Sequence, residues 1–67
     1  MATSITIGEN IQKRRMKLGL SQEDFAQKSG VKYTTLTKIE SGVIKKPSVL
    51  IMAKIAKALD VSIEDLL

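Results

Sequence analysis

Cysteine and histidine are absent from this 67-residue chain, and its only aromatic residues are Phe25 and Tyr33. Without cysteine, disulfides and thiolate chemistry are excluded, and without histidine the Cys/His zinc sites and histidine general-base catalysis are excluded as well. Single-strand nucleic-acid binding by stacking needs a series of exposed aromatic side chains, which two residues do not supply. A compact helical core, helped by self-association, therefore has to stabilise so small a domain.

The chain also lacks any apolar run near the roughly 20 residues that span a bilayer. Its opening sequence, MATSITIG, has no basic start followed by an apolar stretch, so we expect no membrane contact, no secretory signal and a cytoplasmic location. Eleven Lys and Arg against seven Asp and Glu give a net charge of +4. This balance is compatible with a polyanionic partner, although many small soluble domains carry a similar charge.

Hydrophobic spacing predicts an all-α domain of five helices and no strand. We expect a flexible segment over residues 1–6 and one folded domain over residues 7–67. In the first helix, Ile7, Ile11 and Leu18 form one stripe at the helical period. The predicted helices cover residues 7–18, 21–29, 33–40, 49–59 and 63–67.

Serine residues mark several of the predicted helix starts. Ser21, Ser48 and Ser62 are expected to be N-caps, and Asp24 is expected to complete a capping box with Ser21. The two terminal leucines either close the core or contact another subunit. The apolar face predicted for the fourth helix consists of Leu50, Ala53, Ile55, Ala56 and Leu59.

The segment from Leu20 to Gly42 has the pattern of a short capped helix, a tight turn at residues 29–31 and a second short helix. This is the sequence form of a helix-turn-helix, whose second helix lies in the major groove of DNA. Leu36 and Ile39 supply the inward stripe of that second helix. Its opposite face has hydroxyl groups, a tyrosine and a lysine but no acid, and consists of Tyr33, Thr34, Thr37, Lys38 and Ser41.

Such a face can bond base edges or phosphates without repelling them, and it explains why a short helix keeps three threonines of poor helix propensity. Lys32 precedes the helix, and Lys45 and Lys46 follow it, so positive charge brackets it. Gln22 lies at the first turn of the preceding helix, where backbone amides and the helix dipole favour a phosphate. Gln22 is equally compatible with being a neighbour of the cap.

The basic run over residues 13–17 cannot form one patch, because successive helical residues point about 100° apart. Arg15 lies nearest the apolar stripe, and a buried arginine requires a carboxylate, for which Glu40 is the candidate. The sequence has no phosphate-cradling glycine loop, no nucleophile paired with a base and no paired carboxylates in a plausible cleft. We therefore expect neither catalysis nor a metal or cofactor.

An ordered set of residues extends this pattern over residues 8–67. It consists of Arg15, the LGLSQE run at 18–23, Ala26, Gly30-Val31, Leu36, the IESG run at 39–42, Pro47 and the IAKALDV run at 55–61. In this set the chain resembles the Cro and lambda-repressor-like helix-turn-helix family, also called the XRE type. The resemblance implies a compact five-helix DNA-binding fold with an internal Arg15–Glu40 ion pair.

The resemblance also implies roles toward a double-stranded DNA operator, which members of the family bind as two-fold dimers. Some relatives have glutamines where this chain has Tyr33 and Thr34, so no adenine preference carries over. Lys32 stands where Ser or Thr often caps the reading helix. The base-reading and groove-lining positions would be Lys32, Tyr33, Thr34, Thr37 and Lys38. The phosphate contacts would be Gln22, Ser41 and the loop over residues 43–46, with Lys45 and Lys46.

These observations favour a sequence-specific transcriptional regulator of a prokaryote, phage or mobile element, acting as a repressor and as a homodimer. Phage repressors, restriction-modification controllers and autoregulating antitoxins all share such a domain. One alternative is a protein-interaction module, such as an antitoxin that binds a toxin through the fourth and fifth helices. Another is the targeting domain of a larger enzyme.

Overall fold

Helices account for all the regular secondary structure in the computed structural model, which describes residues 6–67. The elements are α1 (Ile7–Lys17), α2 (Gln22–Ser29), α3 (Tyr33–Ser41), α4 (Val49–Leu59) and α5 (Ile63–Leu66). The prediction of an all-α fold of five helices is confirmed, with ends within a residue or two of those expected. Flexibility expected for residues 1–5 lies outside the described residues. No helix in the described range is long and apolar enough to cross a membrane.

Side-chain caps begin four of the helices. The hydroxyls of Ser21, Ser48 and Ser62 accept hydrogen bonds from backbone N–H groups three residues on, as predicted. Thr6, which the sequence predicts to be part of the flexible segment, instead caps α1 in a reciprocal capping box with Glu9. The capping box predicted at Ser21 is wrong, because within residues 6–67 the reciprocal bond occurs only at the starts of α1 and α5.

The end of α1 corrects one predicted core position. Leu18 is the C-cap of α1 and is 50% exposed, so it does not continue the stripe of Ile11. Gly19 adopts φ +72°, which turns the chain out of the helix, and Leu20 packs against the core instead. Because of the turn at Gly19, the leucine that packs inward is Leu20, two residues after the predicted Leu18.

The face that α4 buries also differs from the predicted one. Leu50 is 67% exposed and Ala53 is exposed, whereas Met52, which was not predicted to face inward, is buried. The buried set follows the helical spacing of three, four and seven residues, whereas the apolar run over residues 49–53 extends around the whole helix. The buried residues of α4 are Met52, Ile55, Ala56 and Leu59.

The core lies where all five helices meet. Leu66 is fully buried and Leu67 is exposed, so only the first of the two terminal leucines closes the core. The buried apolar side chains are Ile11, Phe25, Ala26, Val31, Leu36, Ile39, Met52, Ile55, Ala56, Leu59 and Leu66.

A buried glycine lets α1 approach the end of α3. A Cβ added at Gly8 would collide with the carbonyl oxygen of Ile39 and would lie 3.1 Å from that of Glu40. Both obstacles are backbone atoms, which cannot rotate away as a side chain can. Gly8 therefore sets the distance between the first helix and the C-terminal end of α3.

We predict that Gly8→Ala lowers the free energy of unfolding by about 1–3 kcal/mol, because α1 must move away from α3 to accept the methyl group. Alanine is the better helix former by about 1 kcal/mol. A loss of stability can therefore be attributed to the collision and not to helix propensity. Urea denaturation measures the change. Gln12→Ala, at an exposed position of the same helix, is the control and should alter stability by less than about 0.5 kcal/mol. A Gly8→Ala protein as stable as the unsubstituted one would contradict the prediction.

Candidate nucleic-acid interface

A tight turn joins α2 to α3. Gly30 ends α2 with φ +77°, and its N–H donates to the carbonyl of Ala26 at 2.9 Å. Val31 is buried in this turn, and α3 begins two residues later at Tyr33. Because α2 packs directly against α3, the angle between the two helices is held by the core and by a glycine in the left-handed conformation.

The outer face of α3 is open. Lys32, Tyr33, Thr34 and Lys38 are exposed and Thr37 is half-buried, so all five predicted base-reading residues are at least partly accessible. Tyr33 keeps 47% of its area exposed. Lys32 is the N-cap residue of α3, and its side chain, which has no acceptor, makes no cap bond there.

The single acid of α3 points the other way. Glu40 accepts from Arg15 through two bonds, Nε to Oε2 at 2.9 Å and Nη2 to Oε1 at 3.1 Å. The two side chains are only 9% and 2% exposed, so this is a buried ion pair between α1 and α3. The sequence indicated this pair, and the structure contains it. None of the residues of α3 on its outer face is therefore negatively charged.

Arg15 and Glu40 are bonded further. Arg15 Nη1 donates to the carbonyl of Leu20 at 2.7 Å, which fixes the connection between α1 and α2. Gln22 Nε2 donates to Glu40 Oε1 at 3.0 Å. The amide orientation follows from chemistry, because a carboxylate offers only acceptors and must face the nitrogen. Gln22 therefore joins the start of α2 to the end of α3.

This bond to Glu40 was not predicted for Gln22, because the sequence is equally compatible with a phosphate contact and with a place beside the cap of α2. The predicted burial of Glu40 could have indicated this bond. A carboxylate that accepts two bonds from an arginine still has lone pairs, and a nearby side-chain amide can donate to one of them. Gln22 retains a second Nε2 hydrogen and its backbone N–H at the first residue of α2. Its predicted contact with a phosphate stays a prediction.

Two hydroxyl groups of α3 donate to the helix itself. Thr37 Oγ1 lies 2.8 Å from the carbonyl oxygen of Thr34, and Ser41 Oγ lies 3.2 Å from that of Lys38. A carbonyl can only accept, so each hydroxyl proton belongs to the internal bond. A phosphate oxygen also only accepts, and Ser41 can donate to one only by releasing Lys38.

The basic loop after α3 is anchored at its centre. Ile44 N donates to the carbonyl of Lys38 at 3.0 Å, and the Ile44 side chain packs against the core. Lys45 and Lys46, which come next, are exposed. The two lysines therefore follow the C-terminal end of α3 on a loop that is tied to that helix.

A family model described as helix-turn-helix matches residues 11–66, nearly the whole chain. The chain belongs to the helix-turn-helix family. The resemblance to the XRE type is thereby confirmed, and α2 and α3 are the two helices of the motif.

This helix-turn-helix domain is similar to proteins of known structure. The HTH-type transcriptional regulator SinR of Bacillus subtilis is 36% identical over 61 residues, which are 91% of this chain and 55% of SinR. The chain thus spans about half the length of that curated relative. A crystal structure of SinR, the master regulator for biofilm formation, in complex with DNA matches with a TM-score of 0.88 and 34% identity, covering 91% of this chain and 97% of that chain.

A second structural neighbour is the restriction-modification controller protein C.AhdI from Aeromonas hydrophila. It matches this helix-turn-helix domain with a TM-score of 0.85 and 31% identity, and the match covers 91% of each chain. A regulator of biofilm formation and a restriction-modification controller therefore share this arrangement of helices.

We predict that Glu40→Ala lowers the free energy of unfolding by about 3–5 kcal/mol, because Arg15 is left buried without its partner. Thermal and urea unfolding followed by circular dichroism measure the loss. Glu23→Ala removes an exposed acid in the first turn of α2 and is the matched control, with an expected loss of about 0.3–1 kcal/mol. Equal effects of the two substitutions would show that the pair adds nothing to stability beyond an ordinary surface charge.

Proposed function

We propose that this helix-turn-helix domain binds double-stranded DNA in a sequence-specific manner and regulates transcription as a repressor, with α3 in the major groove. The observation that carries the proposal is the outer face of α3, which is exposed, rich in hydroxyl and lysine groups and free of acid because Glu40 is buried against Arg15. The SinR structure, described as a complex with DNA, supports it through the shared fold. Such a regulator acts in the cytoplasm of a prokaryotic cell.

The proposed contacts divide into two groups. Base reading falls to the exposed face of α3, and affinity comes mainly from phosphates through the release of counterions. The base-reading and groove-lining residues are Lys32, Tyr33, Thr34, Thr37 and Lys38. The phosphate-contacting residues are Gln22, Ser41, Lys45 and Lys46.

A two-fold dimer is part of the proposal. Val49 and Leu50 begin α4 with 79% and 67% of their areas exposed, on the helix that directly follows the basic loop. Exposed apolar side chains that lie next to one another, rather than singly, indicate contact surfaces. A second copy placed there would present its own α3 to a half-site about one helical turn away, roughly 34 Å.

The same exposed apolar residues favour the second candidate, a protein-interaction module such as an antitoxin that binds a toxin. In that case Val49 and Leu50 would contact a different protein, and DNA binding would be secondary. The symmetry of a selected DNA site tests whether a second copy, rather than a different protein, is the partner. A module for protein binding needs no palindrome.

We expect selection from a random duplex library, read by sequencing, to return a palindromic motif. Two-fold symmetric half-sites would reflect two copies of α3 related by the dimer axis. A reproducible motif without symmetry would remove the dimer but keep sequence-specific binding. Failure to enrich any motif would contradict the proposed function.

We predict that Lys38→Ala reduces discrimination at one base pair of each half-site by about 1–3 kcal/mol, because a lysine on the reading helix bonds one base edge. The binding constants of the selected site and its single-base variants, measured by fluorescence anisotropy, give the discrimination. Unchanged preference at every position would exclude Lys38 from base reading.

Lys46→Ala provides the contrast, because a phosphate contact carries no sequence information. We expect this substitution to weaken all duplexes alike and to reduce the slope of log K against log salt by about 0.9. Lys28→Ala removes the same charge from an exposed position of α2 and should leave the slope unchanged. If Lys46→Ala also leaves the slope unchanged, the loop lies outside the DNA contact.

A further inference from the structure

The hydroxyl group of Thr37 is already committed within α3. Its oxygen lies 2.8 Å from the Thr34 carbonyl oxygen, which can accept but not donate, so the Thr37 proton occupies that bond. The oxygen is thereby held along the backbone of the preceding turn, as threonines in helices often are. Thr37 therefore has no proton to donate to a ligand, and it can offer only the lone pairs of this oxygen and the methyl group on the same Cβ.

The major groove contains one apolar partner for a methyl group. Guanine N7 and O6, adenine N7 and thymine O4 are all acceptors, and a hydroxyl without a free proton cannot donate to them. The 5-methyl group of thymine is the one apolar group on the edges of the four bases there, and apolar side chains that read DNA contact it. Thr37 therefore matches thymine better than any acceptor edge.

Lys38, the next residue, has the opposite chemistry. Its exposed ammonium group has three donors and no acceptor, which suits guanine O6 and N7. Successive Cα atoms are about 3.8 Å apart and successive base pairs about 3.4 Å apart. Neighbouring residues on α3 can therefore reach the same base pair or adjacent ones.

We propose that Thr37 is a specificity-determining residue that packs its methyl group against the 5-methyl group of a thymine. That thymine lies within two base pairs of the guanine read by Lys38 in each half-site. The inference rests on the proposed function, because it assumes that α3 lies in the major groove.

The experiment replaces each thymine of the selected half-site by deoxyuridine, one at a time, which removes only the 5-methyl group. Binding of the unsubstituted protein should weaken about four-fold at one such position, the effect of one lost methyl contact. Thr37→Val keeps a methyl and should keep both the affinity and the deoxyuridine effect. Thr37→Ser loses the methyl and should bind about four-fold more weakly, with no further loss on deoxyuridine.

Thr35→Ser is the matched control. Thr35 is half-buried on the other side of α3, in a cleft that Val31 and Ile51 also line. This substitution deletes the same methyl group from the same helix and should leave the four-fold deoxyuridine effect intact. Thermal unfolding of all three variants shows whether they remain folded at the temperature of the binding measurement.

The outcomes separate the inference from the proposed function. If replacing the thymines near the guanine by deoxyuridine does not weaken binding, Thr37 does not contact a thymine methyl group. DNA binding by the domain would still stand. Thr37→Val as weak as Thr37→Ser overturns it as well, because the hydroxyl would then be the binding group. A library that returns no motif overturns both.

Discussion

The buried pair of Arg15 and Glu40 is the interaction on which the arrangement of the first three helices depends. Charged groups out of water are tolerated only when their bonds are satisfied. Glu40 accepts three bonds, two from Arg15 and one from Gln22, while Arg15 also holds the carbonyl of Leu20. The pair and its bonds therefore tie α1, the α1–α2 connection and the start of α2 to the end of α3.

The same pair fixes the rotation of α3 about its own axis. Helical residues are spaced about 100° apart, so an inward Glu40, together with Leu36 and Ile39, leaves one set of side chains facing out. Gly8 completes the constraint, because its missing Cβ lets α1 lie against the backbone at the end of α3. The open, acid-free face that supports the proposed DNA contact is thus a consequence of how the helix is buried.

Fold and specificity are separate properties of this domain. About a third of the residues are shared with SinR, and the backbones still agree with a TM-score of 0.88. Proteins that share a fold need not recognise the same operator sequence. Recognition depends on the side-chain groups that reach the base edges. In this chain, internal bonds of α3 change the groups that its outer face offers, because a hydroxyl that donates to its own helix has no free proton for a ligand.

The sequence by itself determined the helices, their serine caps, the two motif helices and the Arg15–Glu40 pair, because periodicity, capping and the need to neutralise a buried charge are local or pairwise requirements. Only the tertiary structure decided which side of α4 is buried, since an apolar run at its start gives no preferred face. It also decided that Leu20 takes the place of Leu18 in the core. The bond from Gln22 to Glu40 and the role of Gly8 also required it. Both depend on how closely two helices approach, and that distance is set by the packing of the whole core.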